Sequence, residues 1–520
     1  MTTTPKDPAG RVSLDWGQTW PTLPEFRSLA VERRVIPVAR RLLADVTPVG
    51  LYRTLAQGRP GTFVLESAEV DGTWARYSFI GVHSRATLTV RDRRAAWTGD
   101  VPVGVPTEGD PVEVLAETLR VLRTPAVPGL PPLTGGLVGA LGWDVVRYWE
   151  PTLPANAPEE LGVPELTLCL ASDLAVVDHV DGSVWLIANA INFDDTDARV
   201  DEAWADAVAR LDAMERCLLA PTSVGAAVLV DGAEPAIELR SSQAEFESSV
   251  RAGKVAIRDG EVFQVVLSQR ADVACPARPL DVYRVLRTIN PSPYMYYFQL
   301  QDADGADFAV VGSSPETLVK IADGRVTTYP IAGSRPRGAS PEEDHELAVE
   351  LLADPKERAE HIMLVDLSRN DLAKVCAPDS VEVVEFMQVR RFSHIMHICS
   401  TVVGRLHEGS TAVETLKAAF PAGTLSGAPK PRAIALIDEL EPARRGIYGG
   451  TVGYFDFAGN MDMAIAIRTA MIRDGRATVQ AGAGIVADSV PELEYQEARN
   501  KAAAAVRAVQ IASRLRSAGC

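Results

Sequence analysis

Cysteine is scarce in this chain of 520 residues, and none of the six thiols stands in a Cys-x-x-Cys spacing, which excludes a disulfide frame and a zinc ribbon. Cys169, Cys217, Cys275, Cys376, Cys399 and Cys520 read instead as reduced thiols of an intracellular protein. Positive charge is short as well: 52 Lys and Arg stand against 69 Asp and Glu, and the formal net charge of −17 leaves no broad basic surface for nucleic acid. No run approaches the roughly 20 apolar residues of a membrane span, and the first thirty residues hold no apolar stretch of the signal-peptide kind. Cytoplasm is the expected location, without membrane contact. A phosphate loop is missing too, because Ala428-Pro429 separates Gly427 from Lys430 where Gly-Lys-Ser/Thr would be needed. No cysteine occupies a Gly-x-Cys-x-Gly elbow, so the nucleophile for glutamine hydrolysis is absent.

What remains is the composition of a globular protein, 47% hydrophobic and 23% charged, long enough for two or more domains or one large composite core. Residues 1–20, polar and punctuated by Pro and Gly, predict a loose N-terminal arm. From about 61 to 200 the pattern is strand-like, and Asp181-Gly182 predicts a hairpin joining 174–177 to 184–187. Helices are expected over 110–123 and 195–217. A Pro/Gly/Ala-rich connector at 221–240 follows a first domain at 21–220, and 241–520 forms a second domain opening with a helix at 243–259 and a strand at 262–269. Hairpins mixed with long helices, without regular βαβ alternation, predict an α+β fold: an antiparallel β-sheet sandwich core with surrounding helices.

Two Glu-x-x-Glu pairs carry the strongest chemical signal: Glu357 and Glu360, running into His361, and Glu494 and Glu497, four residues before Lys501. Carboxylates three apart on a helix share one face, so each helix offers two oxygen donors to a common point, and hard oxygen donors suit Mg²⁺. The spacing predicts two halves of a divalent-metal cage. It also fits ordinary solvated helices, since Asp354-Pro355-Lys356-Glu357 reads as N-cap, N1 proline and capping-box glutamate, Ser489-Val490-Pro491-Glu492 opens in the same way, and Glu497 to Lys501 is an i,i+4 ion pair. Other stretches are unusual for routine core. Ala481-Gly482-Ala483-Gly484 lets backbone N–H groups approach an anion. Ser314-Pro315-Glu316 puts a carboxylate near a strand end, and His394 and His397 fit a structural or a catalytic role.

In order and spacing, Gln264-Val265-Val266-Leu267-Ser268-Gln269-Arg270, Ser314-Pro315-Glu316, Pro330-Ile331-Ala332-Gly333, Lys356-Glu357-Arg358-Ala359-Glu360-His361, Arg369-Asn370-Asp371, the 420–430 loop and the Glu-x-x-Glu helix after Ala481-Gly482-Ala483-Gly484 resemble the chorismate-utilising enzymes. The resemblance covers about 242–513. Leu65-Glu66-Ser67-Ala68, Arg76-Tyr77-Ser78-Phe79-Ile80-Gly81 and Gly135-Gly136-Leu137-Val138-Gly139 look like the N-terminal region of the anthranilate synthase large subunits within that family. Two positions narrow the implied reaction. Members that add water place a lysine where Gln264 stands. Aminodeoxychorismate synthases carry Pro-Ile-Lys-Gly, whose lysine can attack the ring, where this chain has Ala332. Ser334 departs from the more frequent threonine and keeps a hydroxyl.

The resemblance implies a catalytic domain at 241–520, a regulatory domain at 21–220, and Mg²⁺-dependent conversion of chorismate and ammonia to anthranilate and pyruvate, the committed step of tryptophan biosynthesis. It implies Glu316 as general acid, His397 for the elimination half, and Thr424 and Gln264 beside the reacting centre. Gly333, Ser334, Tyr448, Arg468, Gly482, Ala483, Gly484 and Lys501 bind substrate in the same reading. Arg468 could alternatively serve a structural ion pair, and Lys501 could serve Glu497. Glu360 and Glu497 ligate the metal, with Glu357 and Glu494 acting directly or through water. Leu65, Glu66, Ser67, Pro293, Tyr294, Met295, Val452 and Tyr454 match the family's L-tryptophan pocket. A glutamine amidotransferase subunit supplies ammonia, in a heterotetramer of two large and two small subunits. The alternatives are an aminodeoxychorismate synthase and a non-catalytic amino-acid sensor on the same scaffold.

Overall fold

The hairpin expected across Asp181-Gly182 is present in the computed structural model, which describes residues 12–68, 76–220, 225–391 and 395–517. Leu166–Asp178 and Ser183–Ile191 pair antiparallel, with Leu174 opposite Ile187 and Val177 opposite Val184. Every residue of both strands is buried. Position explains this, because Leu166–Asp178 also pairs along its length with Tyr77–Arg91 and Gly136–Leu141 and has no open edge.

Among the described residues, 22 strands join one continuous antiparallel system, the α+β arrangement expected from sequence. That system crosses the expected domain boundary. Thr62–Glu66 pairs with Tyr294–Gln301, and Gly136–Leu141 pairs with Thr451–Asp456, so strands of the first half complete sheets of the second. The 221–240 connector also carries short strands: Ala227–Leu229 pairs with Leu515–Ser517, and Ile237–Leu239 with Gln264–Ala274.

Two expectations need correction. The loose arm expected over 1–20 is not loose from residue 12 onward: Val12, Leu14 and Trp20 are buried, and Thr19–Trp20 pairs with Val35–Leu43. Three apolar anchors among polar neighbours suffice to dock it. The helix expected from 195 spans Val200–Leu219. Asp195 adopts a left-handed φ of 57°, and Asp194 Oδ1 accepts from Thr196 N (3.2 Å), so an Asx turn occupies the segment and delays the helix.

Two helices matter for the site. Pro491–Ala512 buries Ala498, Ala502, Ala505, Ala508, Val509 and Ala512, a stripe of small side chains that lets it lie close on the strand Arg476–Ile485. Pro355–Ala373 packs against Ile331–Pro336 and Ile395–Arg405, burying His361, Leu364 and Val365. His361 Nε2 meets Ser400 Oγ at 2.6 Å, and Ser400 Oγ also accepts from Met387 N (3.0 Å), which pins this helix to the sheet beside Glu360.

Candidate active site

Asp354 caps the helix Pro355–Ala373, accepting from Lys356 N (2.9 Å) and Glu357 N (3.3 Å). The reciprocal half of a capping box is missing. The Asp354 N–H goes to Glu350 O (3.0 Å), and the Glu357 carboxylate turns to Arg335 at 3.7 Å. Glu357 is therefore not consumed by the helix start. The second helix departs further from the expected cap: its N-cap is Val490, while Ser489 Oγ accepts from Val486 N (3.0 Å).

Gly333 lies against the first glutamate helix with φ of 66°, and a Cβ there would stand 3.0 Å from Glu357 Oε2. Its carbonyl accepts from His397 Nδ1 at 2.8 Å, which fixes the tautomer with the ring lone pair on Nε2. Burial lowers the His397 pKa against the opposing effect of the Gly333 bond, and the charges of Arg468 and Lys501 lower it further, so the ring is neutral at pH 7. Ser334 stands opposite His397 on the paired strand. His394 lies outside the described residues.

Glu316 sits between the strands Asp307–Ser314 and Thr317–Ala322. Thr424 Oγ1 donates to its Oε1 at 3.0 Å. Burial pushes the Glu316 carboxyl up to about 7, against the lowering effects of Thr424, Lys501 and Arg468. Burial in turn lowers the Arg468 pKa, and Glu316 is the carboxylate that opposes this. No ion pair within 4 Å is formed by Arg468 among the described residues, and Glu316 is the carboxylate that acts on it electrostatically. Its backbone adopts a left-handed φ of 50°.

The floor is the pairing of Gln264–Ala274 with Arg476–Ile485, in which Val266 faces Gly484, Leu267 faces Ala483 and Ser268 faces Gly482. Side chains here would close the floor. A Cβ at Gly484 would meet Gln264 Nε2 at 2.6 Å, and one at Gly482 would meet Leu267 O at 2.5 Å and Tyr448 Oη at 3.0 Å. Lys501 Nζ reaches Gly482 O (3.2 Å) and Glu497 Oε1 (2.7 Å), so it stands over the floor while paired with the glutamate expected from sequence.

Among the described residues no three His, Cys, Asp or Glu side chains gather closely enough to hold an ion. Glu497 pairs with Lys501 at 2.7 Å, and Glu357 stands 3.7 Å from Arg335. The donors still fit a hard cation. Burial raises the Glu360 pKa, and Glu357 and Glu497 raise it further against the lowering effects of Lys356 and Lys501. Glu494 is raised by burial and by Glu497 in the same way. A magnesium ion that takes one or two carboxylates and completes its shell with water and an anionic ligand suits such a set.

Sequence reasoning missed the supports of this cleft. Arg445 is buried, 1% exposed, and pairs with Glu441 (2.6 Å), 4% exposed. Lys430 Nζ bonds Asp371 Oδ2 at 2.8 Å. Arg445 does not announce itself, because Ala443-Arg444-Arg445-Gly446 reads like a solvated turn, and although Lys430 and Asp371 lie in stretches singled out from sequence, their pairing leaves no local trace.

A second cavity, of about 480 Å³, is lined by Leu65, Glu66, Ser67, Pro293, Tyr294, Met295, Val452 and Tyr454 together, with Arg76, Lys320 and Asp462 not anticipated. The strand pairs Met295↔Glu66 and Tyr296↔Leu65 bring these distant segments together. Glu66 accepts from Tyr283 Oη and Arg287 Nε (2.6 Å), and Tyr294 Oη donates to Asp462 Oδ1 (2.9 Å). A third cavity, of about 630 Å³, lies between Val35–Leu43, Ser183–Ile191 and Val200–Leu219 and gathers none of the anticipated residues; its Arg85 and Arg210 pair with Asp206.

The chorismate binding enzyme family matches residues 63–507. The chain belongs to that family. It is 59% identical over 506 residues to anthranilate synthase component 1 of Arthrobacter globiformis, covering 96% of this chain and 95% of that one. It is 54% identical to the component 1 of Mycolicibacterium smegmatis, covering 94% of each. The solved anthranilate synthase component I of Streptococcus pneumoniae superposes with a TM-score of 0.72 at 34% identity, over 89% of this chain and 98% of that one. The large antiparallel sheet with flanking helices is thus the fold of this enzyme family. Among the described residues no helix is long and apolar enough to cross a membrane.

Proposed function

We propose that this chain is the large subunit of an anthranilate synthase, converting chorismate and ammonia to anthranilate and pyruvate. Relatives at 59% and 54% identity carry that name, and the charge pattern of the cleft carries the chemistry. The substrate is a dianion, and the protein has a net charge of −17. Binding therefore needs local cations without competing carboxylates. Among the described residues Arg468 makes no ion pair and Lys501 pairs with Glu497 (2.7 Å), and both cations act electrostatically on Glu316 and His397.

Glu316, with a pKa of about 7, is half protonated at neutral pH and suits a general acid. As ammonia forms its bond to C2, the ring double bonds shift and the C4–O bond breaks. Glu316 delivers the proton that lets the hydroxyl leave as water. In the second half His397, neutral and with its lone pair on Nε2, takes the C2 proton while the C3–O bond to the enolpyruvyl group breaks. The enolate of pyruvate leaves and takes a proton at its methylene carbon to become pyruvate, and the ring becomes aromatic. Gly333, Ser334, Tyr448, Gly482, Ala483 and Gly484 line the substrate, with Gln264 in place of a water-activating lysine. Glu360 and Glu497, with Glu357 and Glu494 behind them, would hold Mg²⁺, which when bound anchors the ring carboxylate and withdraws charge from the ring.

The name component 1 implies a partner component. We assign that partner as a glutamine amidotransferase in a two-plus-two heterotetramer, since this chain has no glutaminase cysteine. The 480 Å³ cavity is assigned to L-tryptophan as feedback inhibitor, and the protein to the cytoplasm. Ala332 disfavours the 4-aminobenzoate reaction. The deciding assay supplies chorismate, ammonium and Mg²⁺ and identifies the product by fluorescence and mass. Formation of 2-aminobenzoate supports the reading; 4-aminobenzoate or no product refutes it.

A further inference from the structure

Arg445 is a guanidinium with almost no contact with water, yet it touches four separate parts of the chain. Nη1 donates to Leu425 O at 2.8 Å, Nη2 to Val266 O at 2.8 Å, and Nε and Nη2 to the Glu441 carboxylate at 2.8 and 2.6 Å. Its plane lies over Trp143, 4.3 Å from the ring centroid, and near Tyr448 at 5.4 Å. Glu441 in turn accepts from Ser268 N (2.8 Å) and Ser268 Oγ (2.7 Å) on the floor strand. Burying such a pair is costly, and apolar replacements are often as stable. The arrangement therefore calls for a reason other than stability.

The acceptors supply one. Leu425 follows Thr424, whose hydroxyl bonds Glu316, in the short turn Gly423–Leu425. Val266 is two residues from Gln264 on the strand facing Gly484. Tyr448 Oη is a close neighbour of Gly482. The far end of the same loop is held independently, where Lys430 bonds Asp371 and Ala419 O (3.3 Å). Trp143 belongs to the N-terminal half and is tied in place by its own N–H to Gly446 O at 2.8 Å.

We propose that Arg445, fixed by Glu441 and seated on Trp143, is a positioning residue that sets the Thr424 hydroxyl against Glu316 and Tyr448 against the floor of the cleft. This rests on the functional reading above. Arg445 touches no reacting atom. Its effect passes through the Leu425 carbonyl and the Tyr448 ring, and a guanidinium is needed because a lysine ammonium cannot present donors in three directions in one plane.

The test uses the full chain and the double variant Glu441→Gln, Arg445→Met, which removes the charge pair without stranding either partner. Ammonium-dependent kcat is expected to fall on the order of 30- to 100-fold, as misplacement of catalytic groups does. The KM for chorismate should rise by a smaller factor than kcat falls, since only Tyr448 among the displaced groups lines the substrate. The Thr424 bond favours ionised Glu316, so loosening it moves the alkaline limb of the kcat profile to higher pH. Rescue by Arg445→Lys should be incomplete. Trp143→Leu leaves every charge in place and should shift the limb the same way by less. A folded double variant with wild-type kcat, or one whose limb stays put while activity falls, overturns the proposal; if the double variant does not fold, an unmoved limb in Trp143→Leu does so. The shift can also be read without turnover. The pH at which Glu316→Gln stops gaining stability over its parent should rise in the Trp143→Leu background, and that measurement stands even if wild-type protein makes no anthranilate.

Discussion

Replacing Glu316 by Gln should make the protein more stable at neutral and alkaline pH while abolishing turnover. A free glutamate ionises near 4.5, whereas burial moves Glu316 in the folded chain to about 7. The folded state thus holds a proton that the unfolded chain releases, and stability falls as pH rises through that window. The penalty is absent below about pH 4.5 and complete above about pH 7. At 1.36 kcal/mol per pH unit it amounts to at most about 3 kcal/mol. This is a ceiling, because the residue keeps some exposure to solvent. Glutamine retains an acceptor for Thr424 and never ionises. With an unfolding entropy of roughly 2 cal/mol/K per residue, 3 kcal/mol corresponds to about 3 °C in Tm for a chain of this size. Melting curves of both proteins from pH 4.5 to 8.5 should therefore diverge upward with pH and run parallel above 7.5. A Tm difference that does not depend on pH would refute the assignment of a raised pKa to this carboxyl. Turnover should fall at least about 100-fold, the usual contribution of a general acid.

Three further expectations follow from the geometry. Gly333→Ala places a Cβ 3.0 Å from Glu357 Oε2 at a φ of 66°, which should cost about 1–2 kcal/mol in denaturant unfolding and lower kcat by disturbing the His397 acceptor. Glu360→Gln relieves repulsion from Glu357 and Glu497, so it should raise the Tm of the metal-free protein and remove the additional Tm gain on adding Mg²⁺. Unchanged Mg²⁺ stabilisation would count against these ligands. Ser67→Tyr should fill part of the 480 Å³ cavity and weaken inhibition by tryptophan at least tenfold with uninhibited turnover nearly intact; joint loss of both argues against a separate regulatory site.

Local information made much of this legible. The 174–187 hairpin follows from period-two alternation around Asp-Gly, and the two glutamate helices from i,i+3 spacing. What sequence could not decide was the use of each carboxylate. Glu357 fits a capping box, and only the path of the Asp354 N–H to Glu350 frees it for Gly333 and Arg335. The helix begins at Val200 and not at 195 because an Asx turn at Asp194, indistinguishable by composition from a helix N-terminus, precedes it. Pairings such as Gly136–Leu141 with Thr451–Asp456 leave no trace in local periodicity, since register between distant strands is set by the whole core. Arg445 stayed hidden for a related reason: a buried guanidinium and a surface one are the same letter.

Those long-range pairings have a consequence for biosynthesis. Gly136–Leu141 waits for a partner that emerges about 310 residues later, and Thr62–Glu66 waits for Tyr294–Gln301. At roughly 5–20 residues per second, the nascent chain carries an unprotected strand margin for some 15–60 s. Chaperone demand during translation should accordingly concentrate on the first 220 residues. Separate expression of the two halves should yield soluble material only when both are made in the same cell.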